Sequence, residues 1–238
     1  MIRAAVEYNN QGYLCYAVDF PGASGRGRTK QDALDKLKKD VYRYIWWIGA
    51  SLTNNYVIEI VQEYKSLLHI EDADTDILLE KEALCITLEE YSLLKKLVLK
   101  SAKDFQMLYE SFPKKLFQDI PVRKTFYGNV CSTPNDMYAH TNNVTAYYMD
   151  RLSVVIEFDD NIVENRIKAF ESLEQNPDFL LNQIFIDSNK EYWCLRKVLR
   201  RFIWHDTIHA KAMYRLGLRT WRSGVIADPF GFCLLEQR

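Results

Sequence analysis

The stretch Leu199-Arg200-Arg201-Phe202-Ile203-Trp204-His205-Asp206-Thr207-Ile208-His209 superimposes two patterns on one helix. Tyr192, Leu195, Val198, Leu199, Phe202 and Ile203 recur at helical spacing, which predicts a helix from about Lys190 to Leu216 with Gly217 as its C-cap. His205 and His209 are four residues apart, so at about 100° per residue their side chains lie within about 40° of each other, one turn apart. They continue the stripe of Val198 and Phe202 and are expected to face inward. Two imidazoles so placed either bind one metal ion or pack as core histidines bonded to polar neighbours.

The chain holds only four histidines: His69, His140, His205 and His209. Thr133, Pro134 and Asp136 supply a cap, a first-turn proline and a first-turn carboxylate for a helix predicted to run to about Phe158. On it His140 shares a face with Met137, Val144, Tyr147 and Arg151, so it too is expected to point inward. Two helices would then bring His140, His205 and His209 to one point and leave a further position open, the arrangement of an open zinc-type site. His205-Asp206-Thr207-Ile208-His209 also approaches the H-E-x-x-H of metalloproteases, but Asp206 is a methylene shorter than the required Glu. Asp206, next to a candidate ligand, could support it, but it points about 100° away from His205 and is expected on the surface.

Two further helices complete an expected four-helix bundle with a long crossover at 113–133. One starts at the capping box of Thr87 and Glu90, carries Leu88, Tyr91, Leu94, Val98, Phe105 and Leu108, and ends at Phe112-Pro113. The other covers about Ile162 to Gln175. Before them the pattern is that of a small sheet. Residues 2–8 and 12–20 read as a hairpin, Ala23–Thr29 as an edge strand, Thr29 as the cap of a helix ending near Gly49, and Tyr56–Val61 as a further strand. The predicted class is α+β: a β-β-β-α-β domain at 1–66, an acidic, solvated linker at 67–85, and an all-α bundle at 86–238. In the linker Asp72-x-Asp74-x-Asp76 starts like a calcium loop, but Ile77 and Ala83 stand where Gly and Glu are needed.

Of 238 residues, 48% are hydrophobic and 26% charged, which excludes disordered and low-complexity classes. Lys and Arg (31) balance Asp and Glu (32), so no global field favours nucleic acid or an anionic membrane. Five scattered cysteines without a C-x-x-C pair, a start at Met1-Ile2-Arg3 without a signal-peptide pattern, and no apolar run of about 20 residues lead to the expectation of a cytoplasmic protein with reduced thiols and no membrane partner.

With Asp136-Met137-Tyr138-Ala139-His140 early in one helix, the 199–209 stretch late in the chain, and Arg215-Leu216-Gly217 after it, residues 86–238 resemble a DinB-like (YfiT-like) four-helix bundle. Lys211-Ala212-Met213 stands where that family commonly has Gln-Ile. The resemblance implies a divalent metal, nickel or zinc, on His140, His205 and His209. It also implies a homodimer, and a transferase or hydrolase acting on a small-molecule substrate, with a low-molecular-weight thiol such as bacillithiol or mycothiol as cosubstrate. Gly12-Tyr13, Phe20-Pro21-Gly22, and Thr29 before a helix containing Asp32-Ala33-Leu34 resemble a HicB-like, partial RNase H type domain. That likeness implies a second reading, a non-catalytic module that binds a protein or RNA partner with the bundle as scaffold. DNA binding is not expected, because Arg28 replaces the family's acidic residue and the bundle occupies the place of the antitoxins' DNA-binding segment. Arg3, Arg26, Arg28 and Lys30 are expected along a solvated sheet edge.

Overall fold

The computed structural model describes residues 1–51, 56–72, 74–119, 124–125, 128–221 and 224–236. Three strands, β1 (Ile2–Tyr8), β2 (Tyr13–Ala17) and β3 (Ser24–Gly27), lead into helix α1 (Lys30–Trp47), and β4 (Ile58–Lys65) follows. Two-residue strands β5 (Lys124–Thr125) and β6 (Gly128–Asn129) lie between α2 (Leu88–Glu110) and α3 (Pro134–Asp150). Helix α4 (Ile162–Glu174) follows, then the strand pair β7 (Phe185–Ile186) and β8 (Tyr192–Trp193), α5 (Leu195–Thr220) and α6 (Cys233–Glu236). The class is α+β, a small sheet followed by helices. Among the described residues no helix is long and apolar enough to cross a membrane.

The sheet order is β3-β2-β1-β4, with β1 antiparallel to β2 and parallel to β4. Side chains alternate across a strand, so β1 has two faces, and both are buried apart from Arg3 near its start. Ile2, Ala4 and Val6 join Ala33, Leu37 and Val41 of α1 in one cluster, which continues into Val98 and Phe105 of α2. Ala5 joins Leu14, Tyr16, Ile70, Ile77, Leu79 and Trp204 in the other. Gly25 of β3 lies so close to the backbone of Ala33 and Leu37 that a Cβ would overlap it, which is how α1 reaches the sheet.

The second cluster corrects the expectation for 67–85. This segment is not a solvated connector: Ile70, Ile77 and Leu79 cover the second face of the sheet, and Glu82 is buried in an ion pair with Arg200. The apolar residues interspersed among the acidic ones determine its placement. The basic residues at 3–30 also separate rather than line one edge. Arg3 pairs with Asp19 at 2.5 Å, Lys30 pairs with Glu63 at 2.7 Å, and Arg26 reaches the Glu71 carbonyl at 2.7 Å.

Three element ends differ from expectation for local reasons. Helix α3 stops at Asp150 rather than near Phe158, because Ser153 takes φ 58° and the amides of Ser153 and Val154 bond back to the carbonyls of Asp150 and Met149. This is a Schellman closure built on serine instead of glycine. Helix α5 starts at Leu195, and its Arg196 amide donates to Asn182 Oδ1 at 3.0 Å, so its cap comes from outside the local sequence. It runs through Gly217, whose missing Cβ makes room for Ile226 and Phe112 (2.8 and 3.0 Å from the built position). Strand β4 covers 58–65 rather than 56–61.

α2 packs on α4 and α5, and α3 packs on α4 and α5. The indole of Trp47 joins α1 to α2 by donating to Asp104 at 2.6 Å, while Trp46 is half-exposed.

Glu7 of β1 faces the second cluster, fully buried, and accepts hydrogen bonds from the Thr75 hydroxyl and the Asp76 amide (3.1 Å). Burial pushes its carboxyl up to about 7 from an ordinary value of 4.5, against those two bonds. The folded protein therefore keeps a proton that the unfolded chain releases. This contribution is fully present below about 4.5 and is lost as pH rises to about 7, at about 1.4 kcal/mol per unit. Measured by denaturant unfolding, the stability of the wild type relative to Glu7→Gln should fall between pH 5 and 7. A pH-independent difference would contradict the assignment.

Candidate metal centre

Helices α3 and α5 bring His140, His205 and His209 together. Their donor atoms all lie within 4.8 Å of one another, and the ring centroids are 4.4 to 5.0 Å apart. His140 Nε2 is 3.2 Å from His205 Nε2. A metal about 2.0–2.1 Å from each imidazole nitrogen separates tetrahedral ligands by about 3.3 Å, so this pair already has the spacing of two ligands. The donor set fits a divalent cation. His205 Nδ1 is buried without a hydrogen-bond partner among the described residues.

The three rings differ in depth. His205 is buried, His209 half-buried and His140 exposed. His140 thus lies on the rim rather than the inward face, as does Tyr147, while Met137 and Val144 of the same stripe are buried. The cluster is open to solvent on the α3 side. Burial depresses the proton affinity of all three imidazoles, most firmly at His205 and at His209, which falls to about 3 with a further push from His140. Each is held neutral at physiological pH, the form in which imidazole ligates a metal. His69 lies in the segment at 67–85, exposed and 3.4 Å from Glu71.

Asp206 is not on the surface. It is wholly buried, accepting from Ser101 Oγ at 2.6 Å and from Arg166 Nη2 at 3.0 Å. Arg166 in turn donates through Nε to Thr145 Oγ1 at 2.9 Å, and its guanidinium lies 3.6 Å over the Phe202 ring. Ser101, Thr145, Arg166 and Asp206 come one each from α2, α3, α4 and α5. Sequence reasoning missed Arg166, Ser101 and Thr145 altogether. The available signal was Asp206 itself, a carboxylate in the stretch between two inward histidines.

The N-terminal half of α5 is basic, which opposes the helix dipole, and every one of these cations has a partner. Arg196 pairs with Glu90, Lys197 with Glu191 at 2.9 Å, and Arg200 with Glu82. Arg201 donates to the Thr75 carbonyl at 2.8 Å and to Tyr148 Oη at 3.3 Å. The Tyr148 ring stands edge-on to His205 at 6.1 Å. The helix that carries two of the histidines is therefore clamped along the turns that precede them.

Compared with family models, curated proteins and solved structures, the chain matches none.

Removing one member of a buried ion pair leaves the other uncompensated. Arg166→Met should cost about 3–5 kcal/mol in chemical denaturation, and adding Asp206→Leu should restore much of it. A single variant within about 0.5 kcal/mol of wild type would show that the pair carries no such role.

Proposed function

We propose that His140, His205 and His209 hold a divalent metal, nickel or zinc, in a DinB-like bundle formed by residues 86–238, and that the protein is a metal-dependent thiol S-transferase. The convergence of three imidazoles from α3 and α5 within 4.8 Å carries this reading. Clamping of α5 by its paired cations, together with the Asp206–Arg166 pair, supports it by fixing the register of the ligands. The bound cation would lower the pKa of a coordinated thiol or water and so supply a nucleophile at neutral pH. His205 anchors the site from the interior, His209 stands one turn further along α5, and the exposed His140 borders the approach from solvent. A low-molecular-weight thiol and the substrate that receives it would enter on that side. None of the five cysteines is disulfide-bonded, and Cys15 and Cys194 are buried with their thiols pushed up by burial, so the thiol is assigned to a cosubstrate rather than to those two side chains.

Protein purified without a histidine tag should carry close to one metal ion per chain by elemental analysis. His140→Ala and His209→Ala should both lose it while keeping the wild-type circular dichroism spectrum. Added zinc at about 100 times its dissociation constant should stabilise the stripped wild type by about 2.7 kcal/mol and leave His209→Ala unmoved. A wild type that folds without metal and gains no stability from zinc or nickel would overturn the reading.

A further inference from the structure

A cavity of about 570 Å³ opens between β3, α1 and α5. Trp204, Ile208, Lys211 and Arg215 of α5 line it, and this face lies about 120° round the helix from His205 and His209. The opposite wall includes Arg26, Lys36, Lys39 and Asp40. Asp40 is the one acidic lining residue, and both of its oxygens are engaged, by Arg43 Nε at 2.7 Å and the Ser24 amide at 2.9 Å. Lys36 pairs with Asp32 at 2.8 Å. Among the described residues Lys39, Lys211 and Arg215 have no carboxylate within ion-pair distance. Lys211 is half-buried there.

Lys39 and Arg215 reach solvent at the mouth and Lys211 is half-buried between the walls, so an anion bound among them would offset their mutual repulsion. Beside them the wall is apolar: Trp204 is 2% exposed, packs edge-on to Tyr16 at 6.1 Å, and keeps an indole N–H with no hydrogen-bond partner among the described residues. Leu14 and Ile208 continue that surface. The volume is within the range of small-molecule sites, about 300–1,000 Å³. The chain's formal charge of -1 supplies no overall basic excess to attract a polyanion.

We propose that this cavity binds a phosphorylated small molecule, with its phosphate groups on Lys39, Lys211 and Arg215 and its organic part against Trp204 and Ile208. Three cations without a carboxylate partner among the described residues call for a multiply charged group rather than a single carboxylate. The site is independent of the histidine centre and does not require metal.

The test is isothermal titration of the full, chelator-treated chain with inorganic pyrophosphate. One saturable site is expected, weakening as salt rises from about 50 to about 200 mM. Lys211→Gln and Arg215→Gln should each lower the affinity about tenfold, and His209→Ala should leave it unchanged. Arg215 is exposed, so its variant reports on binding even where Lys211→Gln disturbs packing. No saturable binding up to about 1 mM pyrophosphate would overturn the proposal, as would equal affinity in wild type and Arg215→Gln. Tighter binding of a single-stranded oligonucleotide than of pyrophosphate, lost in the same variants, would also overturn it in favour of a polymer.

Discussion

Asp206 and Arg166 face each other at 3.0 Å with no exposure to water, and the arrangement of the long helices follows from the need to keep them so. A lone buried charge costs several kcal/mol, so each partner is tolerable only where the other and its hydrogen bonds are in place. Ser101 supplies a bond from α2 and Thr145 one from α3, so one ion pair ties four helices at a single level. That level is one residue along α5 from His205. A slip of α3 or α5 by one turn, about 5.4 Å, would break the network and separate His140 from His205. Register set by the ion pair thus becomes ligand spacing at the histidines.

Helix α5 divides its circumference among three tasks. Its Asp206 face closes the helical core, its His205 and His209 face meets α3, and its Trp204 face meets the sheet and the basic cavity. The preceding turns are tied by Arg196, Lys197, Arg200 and Arg201 to Glu90 and to the segments at 74–85 and 191–192. The sheet is consequently joined to the helices by apolar contact at Trp204 and by charge one to two turns away.

Much of this was legible in the sequence. The caps at Thr29, Thr87 and Thr133 act as their residue types require, since each side chain accepts from the amide three residues on. The four-residue spacing of His205 and His209, with His140 on a capped helix, brought the right three side chains together. What escaped was non-local. Asp206 looked exposed because helical periodicity places apolar residues, whereas its partners lie 40 and 105 positions away. The cap of α5 hangs on Asn182, and the end of α3 on a serine in a conformation usually taken by glycine. The acidic count at 67–85 concealed three apolar residues placed to cover a sheet. His140 came to the rim because the α3 stripe is only partly covered by α4 and α5.

The account turns on three imidazoles acting as one ligand set, and X-ray absorption of the zinc-loaded full chain measures this directly. It predicts a first shell of nitrogen or oxygen at about 2.0–2.1 Å with outer-shell scattering from three histidines. Sulfur at about 2.3 Å, or one histidine or none, would contradict it.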